Sequence, residues 1–261
     1  MRSFFKIFFA SLLAFIVFSL IAFFLVVGAI SGLTAKNKPV VAEKSILLLD
    51  LSEHFFEQLE DDPIAQVTNS ENNAPGLYDV IRLIKHAKTD KNINGIYITG
   101  DGNANGLASS NELRNALLDF KTSKKFVIAY ADMLTQGTYF VSSVADRVYL
   151  NPVGEVQWTG FNIDLLFLKG TLDKLEIQPQ VFFAGKFKSA TEPFRTEKMT
   201  PENRLQTTVW LNDLYQHFLQ KTSQARKLDT ATLRQWANTG AVQTAQDAYA
   251  YKLIYGIKYD D

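Results

Sequence analysis

Residues Val181 to Phe194 read Val-Phe-Phe-Ala-Gly-Lys-Phe-Lys-Ser-Ala-Thr-Glu-Pro-Phe. The apolar and aromatic run at their start predicts a buried strand from Pro179 to Phe187. Lys188 follows it, at a point where Ser189 can cap a new segment and Pro193 limits how the chain continues. Burying an amine favours its neutral form, and only the neutral amine takes a proton from a hydroxyl. The chemistry this offers is general-base catalysis. A plainer reading fits the same residues: a lysine at a strand end reaches water along its own methylene stem. Lys186 falls on the same face of the predicted strand. It is a second candidate, either as the base or as a charge that helps keep Lys188 neutral. Glu192 is expected to hold Lys186 in a surface pair of little energetic weight.

Other chemistries are poorly supplied. The 261 residues contain no cysteine, which excludes disulfides, thiolate catalysis and cysteine-bound metal. His54, His86 and His217 share no ligand spacing, so no metal site is expected. Lys and Arg together number 27 and so do Asp and Glu, and no basic stripe suggests nucleic acid. The Gly-rich run Gly100 to Gly106 lies between a predicted strand and helix, where backbone N–H groups can cradle an anion. It lacks the Gly-Lys-Ser ending of a P-loop and the spacing of a dinucleotide fingerprint. Thr135, Thr138, Ser142 and Ser189 are candidate nucleophiles in principle, and capping or packing hydroxyls by the plainer reading.

The elements that must position these groups follow from hydrophobic patterning. Arg2 and Lys6 precede an uncharged stretch from Ile7 to Leu33, long enough for a transmembrane helix of about 40 Å. Basic residues before the span place the N-terminus in the cytoplasm and the remainder across the membrane, although Lys36 and Lys38 weaken that asymmetry. A cleaved signal peptide is the alternative, with Val27-Gly28-Ala29 as its small-residue site, but its apolar core is ordinarily much shorter. A linker over residues 34–44 leads to one domain over residues 45–261. There, strands at Ile46–Leu51, Ile93–Ile98 and Phe126–Ala131 alternate with helices at Gly76–Ala87 and Ser109–Phe120. A helix begins in Thr135–Phe140, a strand follows Arg147, helical spacing spans Ile163–Leu175, and an amphipathic helix spans Met199–Lys227. Two short helices, Thr230–Trp236 and Thr244–Leu253, precede the end. This alternation predicts an α/β fold with a mostly parallel sheet covered on both faces.

The run Gly-Lys-Phe-Lys-Ser-Ala-Thr-Glu-Pro-Phe resembles the lysine segment of the signal peptide peptidase A family, also called protease IV, in its long two-repeat form. The N-terminal span, the Thr135–Phe140 turn, Asn151-Pro152 and the Thr200-Pro201 helix start fit the same family in the same order. The match is to the N-terminal repeat alone. The resemblance implies a crotonase-like domain behind a membrane anchor, with the Gly100–Gly106 loop beside the active site. It implies that Lys188 is the general base of a Ser/Lys dyad in a serine endopeptidase acting on signal peptides and short polypeptides, with no cofactor. The family's serine lies in a Ser-Gly-Gly-Tyr turn of the second repeat. The matching turn here is Gln136-Gly137-Thr138-Tyr139, and an amide is no nucleophile. The expected partners are a peptide substrate, a second repeat carrying the serine, membrane lipid and further copies in a homo-oligomer. The expected location is a bacterial inner membrane with the domain on the periplasmic side. Competing expectations are a catalytically inactive anchored scaffold and an acyl-CoA enzyme of the crotonase type, the latter opposed by the span and the Lys188 segment.

Overall fold

The computed structural model describes residues 2–34, 40–57 and 75–260. Lys36, Lys38 and Pro39 lie outside them, as does most of the acidic, Asn-rich stretch expected as a loop from His54 to Ala74. The chain forms two compact units, Met1–Ala42 and Glu43–Asp261. The first is helix α1 (Arg2–Thr34). Its stretch Ser3–Val26 is long and apolar enough to cross a membrane, by length and composition. That stretch starts four residues before the uncharged run and so includes Lys6.

The second unit is built on a five-stranded sheet whose spatial order follows the sequence: β1 (Ser45–Asp50), β2 (Ile93–Thr99), β3 (Phe126–Leu134), β4 (Arg147–Val156) and β5 (Gly256–Ile257). Every neighbouring pair is parallel. Helix α2 (Leu77–Thr89) precedes β2, α3 (Leu107–Lys121) precedes β3, and α4 (Gln136–Ser142) precedes β4. The parallel α/β architecture agrees with the sequence and is compatible with a crotonase-like fold.

The expectation that both faces are covered is corrected. A parallel crossover is almost always right-handed, so a strand order that never reverses stacks its helices on one face. Burial alternates accordingly. Ile96, Ile98, Val127, Ala129, Val148 and Leu150 point into the core, whereas Ile46, Leu48 and Phe126 are exposed. The open face is capped in part by aromatic and ionic contacts near the end of the chain. Lys258 sits 5.4 Å over the Tyr149 ring, Arg147 sits 5.0 Å over Tyr255, and the Tyr97 hydroxyl donates to Asp260.

On the covered face, the core runs through Leu117, Phe120, Phe140 and Trp158 to the long helix α7 (Pro201–Arg226). Trp158 packs tilted against Phe218, with centroids 5.4 Å apart, and edge-to-face against Tyr139 at 5.6 Å, and its indole N–H donates to Leu233 O at 3.0 Å. Truncating such a buried aromatic costs about 3–5 kcal/mol. Leu233 belongs to α8 (Thr230–Thr239), and α9 (Ala245–Ala250) starts with a capping box between Thr244 and Asp247. These helices lie within a few residues of their expected spans.

Residues between β4 and α7 depart from expectation. Helical spacing at Ile163–Leu175 yields only α5 (Lys169–Lys174), and Pro179–Phe187 forms no strand. A strand needs a neighbouring edge to pair its N–H and C=O groups and a surface to cover its side chains. Neither is present among the described residues here: Phe182 is 92% exposed, and Leu166, Leu175, Phe183 and Phe187 are exposed as well. The arm instead closes with a 3₁₀ turn (Ser189–Thr191) and α6 (Glu192–Arg195), which lead into α7.

Candidate functional site

Lys188 occupies a tight turn. Its N–H donates to Gly185 O at 3.4 Å, and Gly185 adopts φ +89°, a left-handed conformation that glycine takes without a Cβ clash. The side chains of both Lys186 and Lys188 face solvent. The expectation of a lysine at the end of a buried strand is therefore corrected, because among the described residues no surface covers the turn. Among the described residues, no hydroxyl is hydrogen-bonded to Lys188.

Although exposed at its tip, the turn is anchored on both sides. Glu192, four residues on, is buried with 2% exposure. Its carboxylate accepts from Thr200 Oγ1 at 2.5 Å, Thr200 N at 3.3 Å and Asn203 Nδ2 at 2.7 Å. Burial alone would raise the pKa of this carboxyl. The hydrogen bonds from Thr200 and Asn203, with the nearby charge of Arg195, outweigh burial and hold it below the ordinary carboxylate value. Glu192 is thus not the surface partner of Lys186 that the spacing suggested. Upstream, the Arg195 guanidinium lies 3.7 Å over the Phe183 ring and donates to Thr191 Oγ1 at 3.0 Å. Leu168 N donates to Pro193 O at 2.7 Å, tying α5 to the same cluster.

The Gln136–Tyr139 turn, which the resemblance pairs with the family's nucleophile turn, lies at the start of α4. Thr135 caps this helix, accepting from Thr138 N at 3.1 Å. Gln136 is buried, and its amide closes a two-way bond with one residue: Nε2 donates to Gly160 O at 2.9 Å, and Oε1 accepts from Gly160 N at 2.9 Å. Gly160 takes φ +79°, which a side chain would strain. Gln136 is therefore a pin that fastens the chain leaving β4 to the start of α4.

The expected substitutes for a nucleophile have ordinary roles. Thr138 and Ser142 are buried in the core, Thr135 is the cap, and Ser189 opens the 3₁₀ turn. The Gly-rich loop lies beside the α4 turn, and its own asparagine side chains fill it. Asn103 Nδ2 donates to Gly137 O at 3.0 Å and to Ser110 Oγ at 2.9 Å, while Asn105 Oδ1 accepts from Phe55 N at 2.9 Å. Asn151 bridges β3 and β4, with Nδ2 donating to Asp132 Oδ1 at 2.7 Å. Hydrogen bonds from Tyr130 and Asn151 lower the Asp132 pKa.

The histidines also separate. His54 Nδ1 pairs with Ala104 O at 2.9 Å, His86 lies 3.6 Å from Asp90, and His217 contacts Asn111 at 3.3 Å. Among the described residues, no cluster of His, Asp and Glu has the makings of a metal site. Sequence reasoning missed the Gln136–Gly160 pin, which depends on a contact across 24 residues. It also missed the Glu192 anchor, for which the Thr200-x-x-Asn203 spacing at a helix start was a legible half-signal.

The model of peptidase family S49 matches residues 119–261, from the end of α3 through the Lys188 turn to the end of the chain. The chain is 35% identical over 162 residues to Protease 4 of Salmonella typhi, covering 60% of this chain and 26% of that protein. It is 30% identical over 204 residues to Protease 4 of Haemophilus influenzae, covering 74% of this chain and 32% of that protein. The chain thus spans about a quarter to a third of the length of these relatives. Among solved structures, a mutant of the 1510-N membrane-bound stomatin-specific protease aligns with 84% of this chain and 82% of its own, at 12% identity and a TM-score of 0.43. The matched span contains both the turn at Gln136 and the turn at Lys188, and the chain belongs to peptidase family S49.

Proposed function

We propose that this chain is the lysine-bearing part of a membrane-anchored serine endopeptidase, completed by a second repeat that supplies the serine. The observation that carries the reading is the Lys188 turn: it is anchored at both flanks yet stands in an uncovered apolar arm with Phe182, Phe183 and Phe187. A partner surface over that arm would remove water from the amine and favour its neutral form. Helix α1 would serve as the anchor, in a bacterial inner membrane with the domain on the periplasmic side. Signal peptides and other short or unfolded polypeptides are the proposed substrates, and further copies of the protein complete the assembly.

In the proposed reaction, Lys188 Nζ takes the proton from the incoming serine hydroxyl as its oxygen attacks the scissile carbonyl carbon. The resulting ammonium returns that proton to the amine leaving group as the C–N bond breaks. Water, deprotonated in turn by Lys188, then releases the acyl group and regenerates the serine. Backbone N–H groups at the serine's own helix start would stabilise the oxyanion. Prediction: Lys188→Ala abolishes peptide cleavage by the complete protein while its thermal unfolding is unchanged. Retained cleavage would remove Lys188 from the mechanism.

A second reading, an anchored scaffold without catalysis, is favoured by one observation: Gln136 is a structural pin in the serine position. It predicts that the complete native protein cleaves no peptide at all, whichever residue stands at position 188.

A further inference from the structure

The long helix α7 begins with an unusual cap. Thr200 is its N-cap residue and accepts from Asn203 N at 3.2 Å. In an ordinary capping box, the side chain of the third helical residue would return a bond to the N–H of the cap. Here that third residue is Asn203, and its amide turns away from Thr200 N to donate to Glu192 Oε2 at 2.7 Å. Glu192, eight residues before the cap, takes the Thr200 N–H itself at 3.3 Å and the Thr200 hydroxyl at 2.5 Å. A carboxylate at 2% exposure is costly unless its oxygens are well supplied with donors, and these three supply them.

Only the 3₁₀ turn separates Glu192 from Lys188. The segment before the lysine is tied to the same short helix α6, whose Arg195 guanidinium lies over Phe183 and donates to Thr191. The lysine turn is thus mounted on a 26-residue helix whose Tyr215, Phe218 and Leu219 are packed in the core. No contact runs from Glu192 to the amine itself, so any effect on chemistry acts through the backbone.

We propose that Glu192 is a positioning residue: by capping α7 from a distance, it fixes the Lys188 turn so that the amine meets its serine at a set place. This rests on the reading of Lys188 as the general base. A displacement of about 1 Å between base and nucleophile costs up to about a hundredfold in rate. A carboxylate that merely stabilised the fold would lower activity only by lowering the amount of folded protein.

The test uses the complete native protein, a fluorogenic peptide and the variants K188A, E192A, E192Q and E192Q/N203D. The expected result is that E192A lowers kcat by about ten- to a hundredfold with KM within about twofold. E192Q, which keeps one acceptor oxygen, falls between E192A and wild type. E192Q/N203D restores most of kcat, because the pair then bonds with donor and acceptor exchanged. Amide exchange at Thr200 and Asn203 should accelerate in E192A while the sheet stays protected. Wild-type kcat in E192A, or loss of protection throughout the domain with the surviving fraction fully active, overturns the positioning role. K188A separates the two layers: an inactive K188A beside a fully active E192A rejects only the role of Glu192, whereas an active K188A rejects the base and the positioning role with it.

Discussion

Replacing Gln136 with serine puts a hydroxyl where the family resemblance would place the nucleophile, and we predict that it produces a weaker fold and no protease. Gln136 makes two neutral hydrogen bonds to the Gly160 backbone, each 2.9 Å. A bond of this kind contributes about 1 kcal/mol net, so losing both costs about 2 kcal/mol. The shorter side chain also leaves a gap beside α4 and strips partners from two backbone groups, which brings the loss to about 2–3 kcal/mol. For a domain of this size each kcal/mol shifts the midpoint by about 2–4 °C, so Q136S should melt about 5–10 °C below wild type. Thermal unfolding by circular dichroism measures this. Gln136→Glu provides the internal check: a carboxylate still accepts from Gly160 N but cannot donate to Gly160 O, so it should melt at or below Q136S. A fluorophosphonate probe should leave the isolated Q136S chain unlabelled, since the Lys188 turn is fastened to the start of α7 rather than to α4. An unchanged midpoint would refute the pin, and labelling at the substituted position would refute the proposal that the serine lies outside residues 1–261.

Two further predictions concern what holds the scaffold. The Arg114 guanidinium, buried on α3, donates to Phe140 O on α4, to Ser143 Oγ at 2.6 Å and to Lys221 O on α7 at 2.6 Å, and burial lowers its pKa to about 10. Arg114→Met leaves those acceptors dry and should cost about 3 kcal/mol by urea unfolding, with Arg114→Lys intermediate because one ammonium cannot span all three. Asp247 accepts from Gln243 N, Thr244 N and Thr244 Oγ1 in the α9 capping box, and the bonds from Thr244 are the main cause of its lowered pKa. A carboxylate with a depressed folded pKa stabilises fully above its unfolded value, here 3.8, and loses that contribution as pH falls through the folded value. Asp247→Asn should therefore cost about 1 kcal/mol at pH 7 and nearly nothing once Asp247 is protonated; a constant difference across the acid range would refute the assignment.

The local signals in the sequence were faithful wherever one element could satisfy itself. Thr200-Pro201 marked the start of α7 within a residue, Thr135 marked the cap of α4, and the apolar runs at Ile93 and Phe126 are β2 and β3. The reading failed where satisfaction depends on a surface elsewhere. Val181-Phe182-Phe183 has the composition of a buried strand, but it pairs with no strand edge among the described residues, so it remains an exposed arm. Ile46 and Leu48 likewise looked buried on both faces, and the unreversed strand order leaves them open. Glu192 was misassigned for the same reason: its partners, Thr200 and Asn203, are defined by a helix that starts nine residues later. The candidate base was legible only as a residue type in a family-like segment, because none of the described residues covers the Lys188 turn.

The central claim is that Lys188 serves a serine outside residues 1–261. The most direct measurement is fluorophosphonate labelling of the complete protein purified from native membranes, followed by peptide mapping, for wild type and K188A. The account predicts one labelled serine outside residues 1–261 in the wild-type protein and no label in K188A. A label on any serine or threonine within residues 1–261, or one that persists in K188A, contradicts it.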